Sequence, residues 1–180
     1  MHTVQVPVNS LMEISMNNKK NNDFELLHEV EEGPYYKTGS PERNSIAAEN
    51  TYGKKLVFKG QVLNAKGEPV AGAWIDFWHA DGKGVYDNTG YNLRGHQYTD
   101  DEGNFHLETV MPVLYGNRTP HIHVKVQANP RSKIYTTQLY FPGLKSNEKD
   151  PLFEPANVME LTETEEVARA RFDLVVEVID

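Results

Sequence analysis

The chain has 180 residues, 38% hydrophobic and 24% charged, with 18 Lys and Arg against 26 Asp and Glu for a net charge of −8. That length supports one domain with its own core, and the acidic balance excludes a nucleic-acid surface or a basic patch for an anionic membrane. There is no cysteine, so disulfides, thiolate metal sites and cysteine nucleophiles are excluded, and any metal must be held by His, Tyr or carboxylate.

Residues 1–30 are polar, rich in Asn and Lys and weakly periodic, and read as a peripheral arm, leaving residues 31–180 as the folded domain. The arm has no basic segment followed by an apolar stretch, and no apolar run approaches the ~18 residues of a membrane span. A cytoplasmic protein without a membrane partner is expected. From residue 54 the pattern is that of β-strands, in KLVFKGQV (55–62), AWIDFWHA (73–80), NFHLETVM (104–111), HIHVKVQA (121–128), YTTQLYF (135–141) and RFDLVVEV (171–178). These segments are β-branched and aromatic, and Gly, Asp, Asn and Pro punctuate the stretches between them. The expected fold is all-β: an antiparallel β-sandwich with long loops and at most one short helix, over residues 162–170, where Thr162 and Glu165 have capping-box spacing. The connection from 81 to 101 carries Gly82, Gly84, Gly90 and Gly95 with Tyr86, Arg94, His96 and Gln97 between. A loop of that length in a compact domain points to function.

Chemistry concentrates in RTPHIHVKV (118–126). Strand side chains alternate, so His121 and His123 share one face while Ile122, Val124 and Val126 take the other. Two imidazoles side by side could share one ion. The rest of the set is open from spacing alone: a third histidine (His79, His96 or His106), a carboxylate near Asp81 or Asp100, or the tyrosines Tyr86 and Tyr115. His79 and His106 also fit structural or solvent-facing roles, and Trp74 and Trp78, alternating on one strand, read as core residues.

Several stretches together resemble the intradiol ring-cleavage dioxygenases, the protocatechuate and catechol dioxygenase superfamily, in their short single-domain form. They are EGPYY (32–36), SPERNSI (40–46), GAWIDFWHADGKGVY (72–86), LRGHQYTDDEGNFHLETVMP (93–112), LYGNRTPHIHVKV (114–126) and TTQLYF (136–141). The resemblance implies a non-haem Fe(III) held by Tyr86, Tyr115, His121 and His123. It implies catalytic roles for Arg118, beside the substrate ring, and for Tyr115, a displaced ligand that takes a substrate proton. Tyr35, Arg43, Arg94, Gln97 and Gln138 fall at substrate-pocket positions.

The implied reaction cleaves a catecholic ring between its two hydroxyl-bearing carbons with O2, giving a cis,cis-muconate type diacid. The implied partners are the catechol and O2, and a homo-oligomer is left open. One departure is that Pro112-Val113-Leu114 stands where the family has Pro-Gly before its second tyrosine. Two alternatives remain at this point: a transthyretin-like sandwich used for binding, and a cupin-like Fe(II) or Zn(II) enzyme built on the His pair and another His or carboxylate.

Overall fold

Five of the six expected segments form strands, seen in a computed structural model that describes residues 24–180. The strands are β1 (Lys55–Leu63), β2 (Trp74–Trp78), β3 (Arg94–Tyr98), β4 (Asn104–Val110), β5 (His121–Gln127), β6 (Ile134–Tyr140), β7 (Glu160–Glu163), β8 (Val167–Arg171) and β9 (Leu174–Val175). One sheet runs β3-β2-β5-β6, antiparallel throughout. The other runs β4-β1-β8-β7, with β9 also on β1. β1 pairs in parallel with both β8 and β9, so this second sheet is mixed. The two sheets make the expected sandwich.

The core lies between them. Phe58, Phe77 and Phe105 meet there at centroid distances of 5.2 to 5.9 Å, joined by Ile122, Val124 and Val126, each 0% exposed. Edge-to-face and tilted contacts of this kind add ~0.5–1.5 kcal/mol per pair beyond area burial.

Four expectations are corrected. Residues 162–170 form no helix; they are the β7–β8 hairpin, with Thr162 opposite Arg169. Burial there alternates as in a strand, Ala168 and Ala170 inward and Arg169 and Arg171 outward, and pairing to β1 outweighs the local capping spacing. The short helix is α1 (Lys145–Lys149) instead. The segment 171–178 is interrupted: β8 ends at Arg171 and only Leu174–Val175 resumes pairing. The connection 81–101 is not all loop, because Arg94–Tyr98 forms β3, an edge strand whose RGHQY composition carries no β signal. Trp74 and Trp78 face away from the core, since their neighbours Ile75 and Phe77 occupy it. Trp78 is nonetheless 1% exposed, buried beneath loops.

Of the expected arm, residues 1–23 lie outside the described residues. Residues 24–30 run along the sandwich: Leu27 N donates to Val175 O at 2.9 Å and Val30 N to Thr136 O at 3.2 Å. Among the described residues no helix is long and apolar enough to cross a membrane.

Candidate metal centre

The outer face of the four-stranded sheet carries the site because register lines up its side chains. Arg94, Trp78, His123 and Gln138 lie directly opposite one another across β3, β2, β5 and β6, and His121 lies opposite Tyr140. Both histidines are buried, at 4% and 3% exposure. Tyr86 reaches them from the β2–β3 connection, which is ordered by its own side chains. Asp81 Oδ1 accepts from Lys83 N and Val85 N at 2.8 and 3.0 Å, an Asx turn of the kind that acidic residues favour. Asp87 does the same for Thr89, Gly90 and Asn92, and these backbone donors pull its carboxyl down to about 2. Gly84 is required where this loop crosses the one bearing Tyr115: its φ is +77°, and a Cβ would stand 2.4 Å from Leu114 O.

Three donor atoms converge. Tyr86 Oη lies 2.9 Å from His123 Nε2 and 3.3 Å from His121 Nε2, and the two Nε2 atoms are 3.0 Å apart. His121 Nδ1–H donates to Thr119 O at 2.6 Å, which leaves its Nε2 with a lone pair pointing into the cluster. His123 stacks on Trp78 (4.7 Å, 8°), and its Nδ1 has no hydrogen-bond partner among the described residues. Whichever nitrogen of His123 carries the proton, one buried nitrogen stays unsatisfied, at a cost of ~1–3 kcal/mol. Burial lowers both imidazole pKa values, His121 to about 4 and His123 well below its ordinary value, so both are neutral near pH 7, the form a metal requires. Burial also raises the Tyr86 phenol, against the nearby charges of Arg118 and Arg94.

This arrangement fits a metal cation. Donors bound to a first-row metal at ~2.0–2.1 Å sit ~2.9 Å apart at a right angle and ~3.4 Å apart at the tetrahedral angle, a range that holds all three separations here. A cation would engage lone pairs that now oppose one another, and it would reverse the rise in the Tyr86 pKa. The tyrosine oxygen makes the set harder than a pure imidazole one, which suits Fe(III). Among the described residues no third His, Asp or Glu joins the pair, so the cupin-like alternative lacks its remaining ligand. His79 is held by Ala80 O and Thr109 Oγ1 at 2.6 and 2.7 Å, as a structural residue is. His106 faces Glu108 at 3.6 Å on the other sheet, and His96 bonds Ser40 Oγ at 3.1 Å.

The fourth expected ligand stands one ring away. Tyr115 packs edge-on to Tyr86 at 5.4 Å, while its hydroxyl contacts that of Tyr35 rather than the three donors. That hydrogen bond is the main cause of its raised pKa. Tyr35 in turn stacks on Tyr86 at 4.5 Å. Arg118 lies beside the cluster, its Nε on Asp150 and its Nη2 on Gln138 Oε1. Gln138 is thus brought in through Arg118.

Three expected pocket residues have side chains engaged by the chain's own backbone. Arg43 donates to the carbonyls of Arg94 and Tyr91. Arg94 adjoins the cluster but donates to Asp87 O and Tyr35 O. Gln97 faces the opposite way, into the sandwich, where its amide brackets the backbone of His106. A strand residue next to an outward one points inward, and Gln97 follows His96. Asp150 and the Tyr36–Asp76–Ser40 network beneath the site went unnoticed in the sequence. Asp150 sits in KSNEKDPLF, which contains no catalytic pattern.

Fold and site together describe a β-sandwich with a mixed histidine–tyrosine donor set on one outer face. A family model described as Dioxygenase matches residues 31–177. The dioxygenase domain of a dioxygenase carbohydrate-binding protein fusion from the cellulolytic bacterium Streptomyces sp. SirexAA-E is 42% identical, with a TM-score of 0.82, covering 86% of this chain and 100% of that one. Catechol 1,2-dioxygenase of Acinetobacter baylyi is 32% identical over 62% of this chain and 45% of its own length. Chlorocatechol 1,2-dioxygenase of Pseudomonas putida is 33% identical over 63% and 53%. The chain spans about half the length of these two relatives. It belongs to the intradiol ring-cleaving dioxygenases.

Proposed function

We propose that the chain is a non-haem Fe(III) dioxygenase acting on an uncharged catecholic ring with O2, and that the product is a cis,cis-muconate type diacid. The observation that carries this reading is the convergence of His121 Nε2, His123 Nε2 and Tyr86 Oη within 3.3 Å, buried and without protons enough to satisfy one another. Tyr86, His121, His123 and Tyr115 are the proposed ligands. Held by these residues, ferric iron would supply the Lewis acidity that makes a catecholic ring reactive towards O2.

The chain's own residues do the rest. Tyr115, half-buried and hydrogen-bonded to Tyr35 through its Oη outside the three converging donors, would hold a substrate proton at that atom. Arg118 keeps a fixed positive charge beside the ring, where a preorganised donor stabilises developing negative charge. Trp78, stacked on His123 and capped by Tyr36 at 4.7 Å, keeps water from the inner side of the site.

An uncharged ring is favoured because backbone carbonyls take up Nε and one terminal nitrogen of both Arg43 and Arg94, which leaves each a single terminal nitrogen rather than a full fork for a ring carboxylate. Oxygen uptake and product spectra over a panel of catechols test the proposal. Catechol or an apolar-substituted catechol is expected to exceed its carboxylate-bearing analogue by at least ~10-fold in kcat/KM, the effect of one unpaired buried charge. Failure of every catechol to consume oxygen, or consumption with an extradiol product, would overturn the reading.

A further inference from the structure

An arginine on a surface turn ordinarily samples many rotamers, and fixing one costs entropy. Arg118 closes such a turn: Tyr115 N donates to Arg118 O at 3.2 Å and Arg118 N to Tyr115 O at 2.9 Å. Yet its guanidinium is gripped on two sides. Nε lies 2.9 Å from Asp150 Oδ2 and 3.1 Å from Oδ1, and Nη2 donates to Gln138 Oε1. Among the described residues Nη1 has no hydrogen-bond partner, so it is the free edge of the fork.

The carboxylate that grips it is set before the arginine arrives. The Asp150 side chain is 0% exposed, against 21% for Arg118. Thr119 N donates to its Oδ2 at 2.8 Å and Leu152 N to its Oδ1 at 2.9 Å, which fixes the plane of the group. Asp150 caps the C-terminus of α1, and α1 holds the turn as well: Thr119 Oγ1 meets Asn147 Oδ1 at 2.6 Å and Ser146 Oγ at 2.7 Å. Gln138 is equally constrained. Its Nε2 donates to Glu31 O at 3.1 Å and Tyr140 Oη donates to its Oε1 at 3.2 Å, which aims Oε1 at the arginine. Two separate segments, β6 through Gln138 and the end of α1 through Asp150, thus converge on one guanidinium.

We propose that Asp150 is the positioning residue for Arg118: by holding the Nε edge it presents Nη1 as the one free donor edge to an anionic ligand at the His/Tyr cluster. Its consequence for turnover rests on the dioxygenase reading, but its geometry does not. Misplacing such a donor by about 1 Å costs ~100-fold in rate. Asp150→Asn keeps the shape but removes the charge, one of the two Nε contacts and the acceptor for one of the two backbone donors, Thr119 N or Leu152 N.

The test uses the iron-loaded full chain and the variants Asp150→Asn, Arg118→Gln and the two combined. Asp150→Asn is expected to lower kcat ~10–100-fold, while iron content, the visible absorption band and KM stay within about twofold, as they would not after general damage. The double variant is expected to be no slower than Arg118→Gln alone, because the residues act as one unit, and Asp150→Glu is expected to recover part of the loss. A kcat for Asp150→Asn within about twofold of the parent, or losses that multiply in the double variant, would overturn the proposal.

A second measurement needs neither a variant nor turnover. In 15N NMR of the full chain, the Arg118 Nε–H is expected to exchange with water at least ~10-fold more slowly than that of the exposed Arg131. Equal exchange rates would overturn the grip itself. A parent that consumes no oxygen but shows a protected Arg118 sinks the dioxygenase reading alone.

Discussion

Replacing His123 with leucine is expected to abolish iron binding without unfolding the protein. The side chain supplies one of three converging donors, so iron affinity should fall well beyond the ~10–100-fold typical of losing a mere supporting contact to a metal ligand. Oxygen uptake should fall at least ~1,000-fold, since the metal's chemistry is lost with it. Stability should respond in the opposite sense to that of a structural histidine. In the metal-free chain, His123 has a buried Nδ1 without a partner and an Nε2 only 3.0 Å from that of His121. Leucine removes both penalties and keeps contact with Trp78, so the urea midpoint of the metal-free variant should match or exceed the parent's. A drop of ~2 kcal/mol or more, as for a hydrogen-bonded core residue, would mean that His123 serves the fold and not a ligand.

Arg118→Gln is expected to lower kcat by ~100–1,000-fold, the range seen when one preorganised donor to a developing anion is removed. KM should move much less, because the charge matters most where negative charge builds up on the ring. Iron content should be unchanged, as the proposed donors are other residues. The substitution also leaves Asp150 buried without its cation, which costs stability, so the comparison belongs at a temperature where both proteins are folded, checked by circular dichroism. Equal losses of iron and activity would assign Arg118 to site assembly rather than to the reaction.

How legible these features were depended on how local their signals are. Alternation in HIHVKV places Ile122, Val124 and Val126 in the core, and the two histidines must then share the other face; the structure agrees at every position. It also shows what alternation alone does not reveal, that this outer face is itself buried beneath the 33–36 and 81–93 segments. Strand β3 escaped notice because RGHQY has no apolar alternation; its edge position is fixed by pairing with β2, through contacts between residues far apart in sequence. The 162–170 segment misled for the converse reason. Its TETEEVARA composition favours a helix locally, and it is parallel pairing of β8 to β1, over 100 residues earlier, together with the hairpin to β7, that makes it strand. Arg118 was legible by its place before the histidines, whereas Asp150 was not: 32 residues separate them, and only the return of the chain through α1 joins them. For Tyr115, the sequence locates the ring beside the site but carries no sign that its hydroxyl rests on Tyr35.

The central claim, that two imidazoles and two tyrosines of this chain hold ferric iron, is tested most directly by loading the purified full chain with iron and recording metal content and visible absorption together. One iron per chain is expected, with a broad tyrosinate-to-iron charge-transfer band that shifts and weakens in Tyr86→Phe. A chain that stays colourless and metal-free with iron in excess, or one whose band is unchanged in Tyr86→Phe, would contradict it.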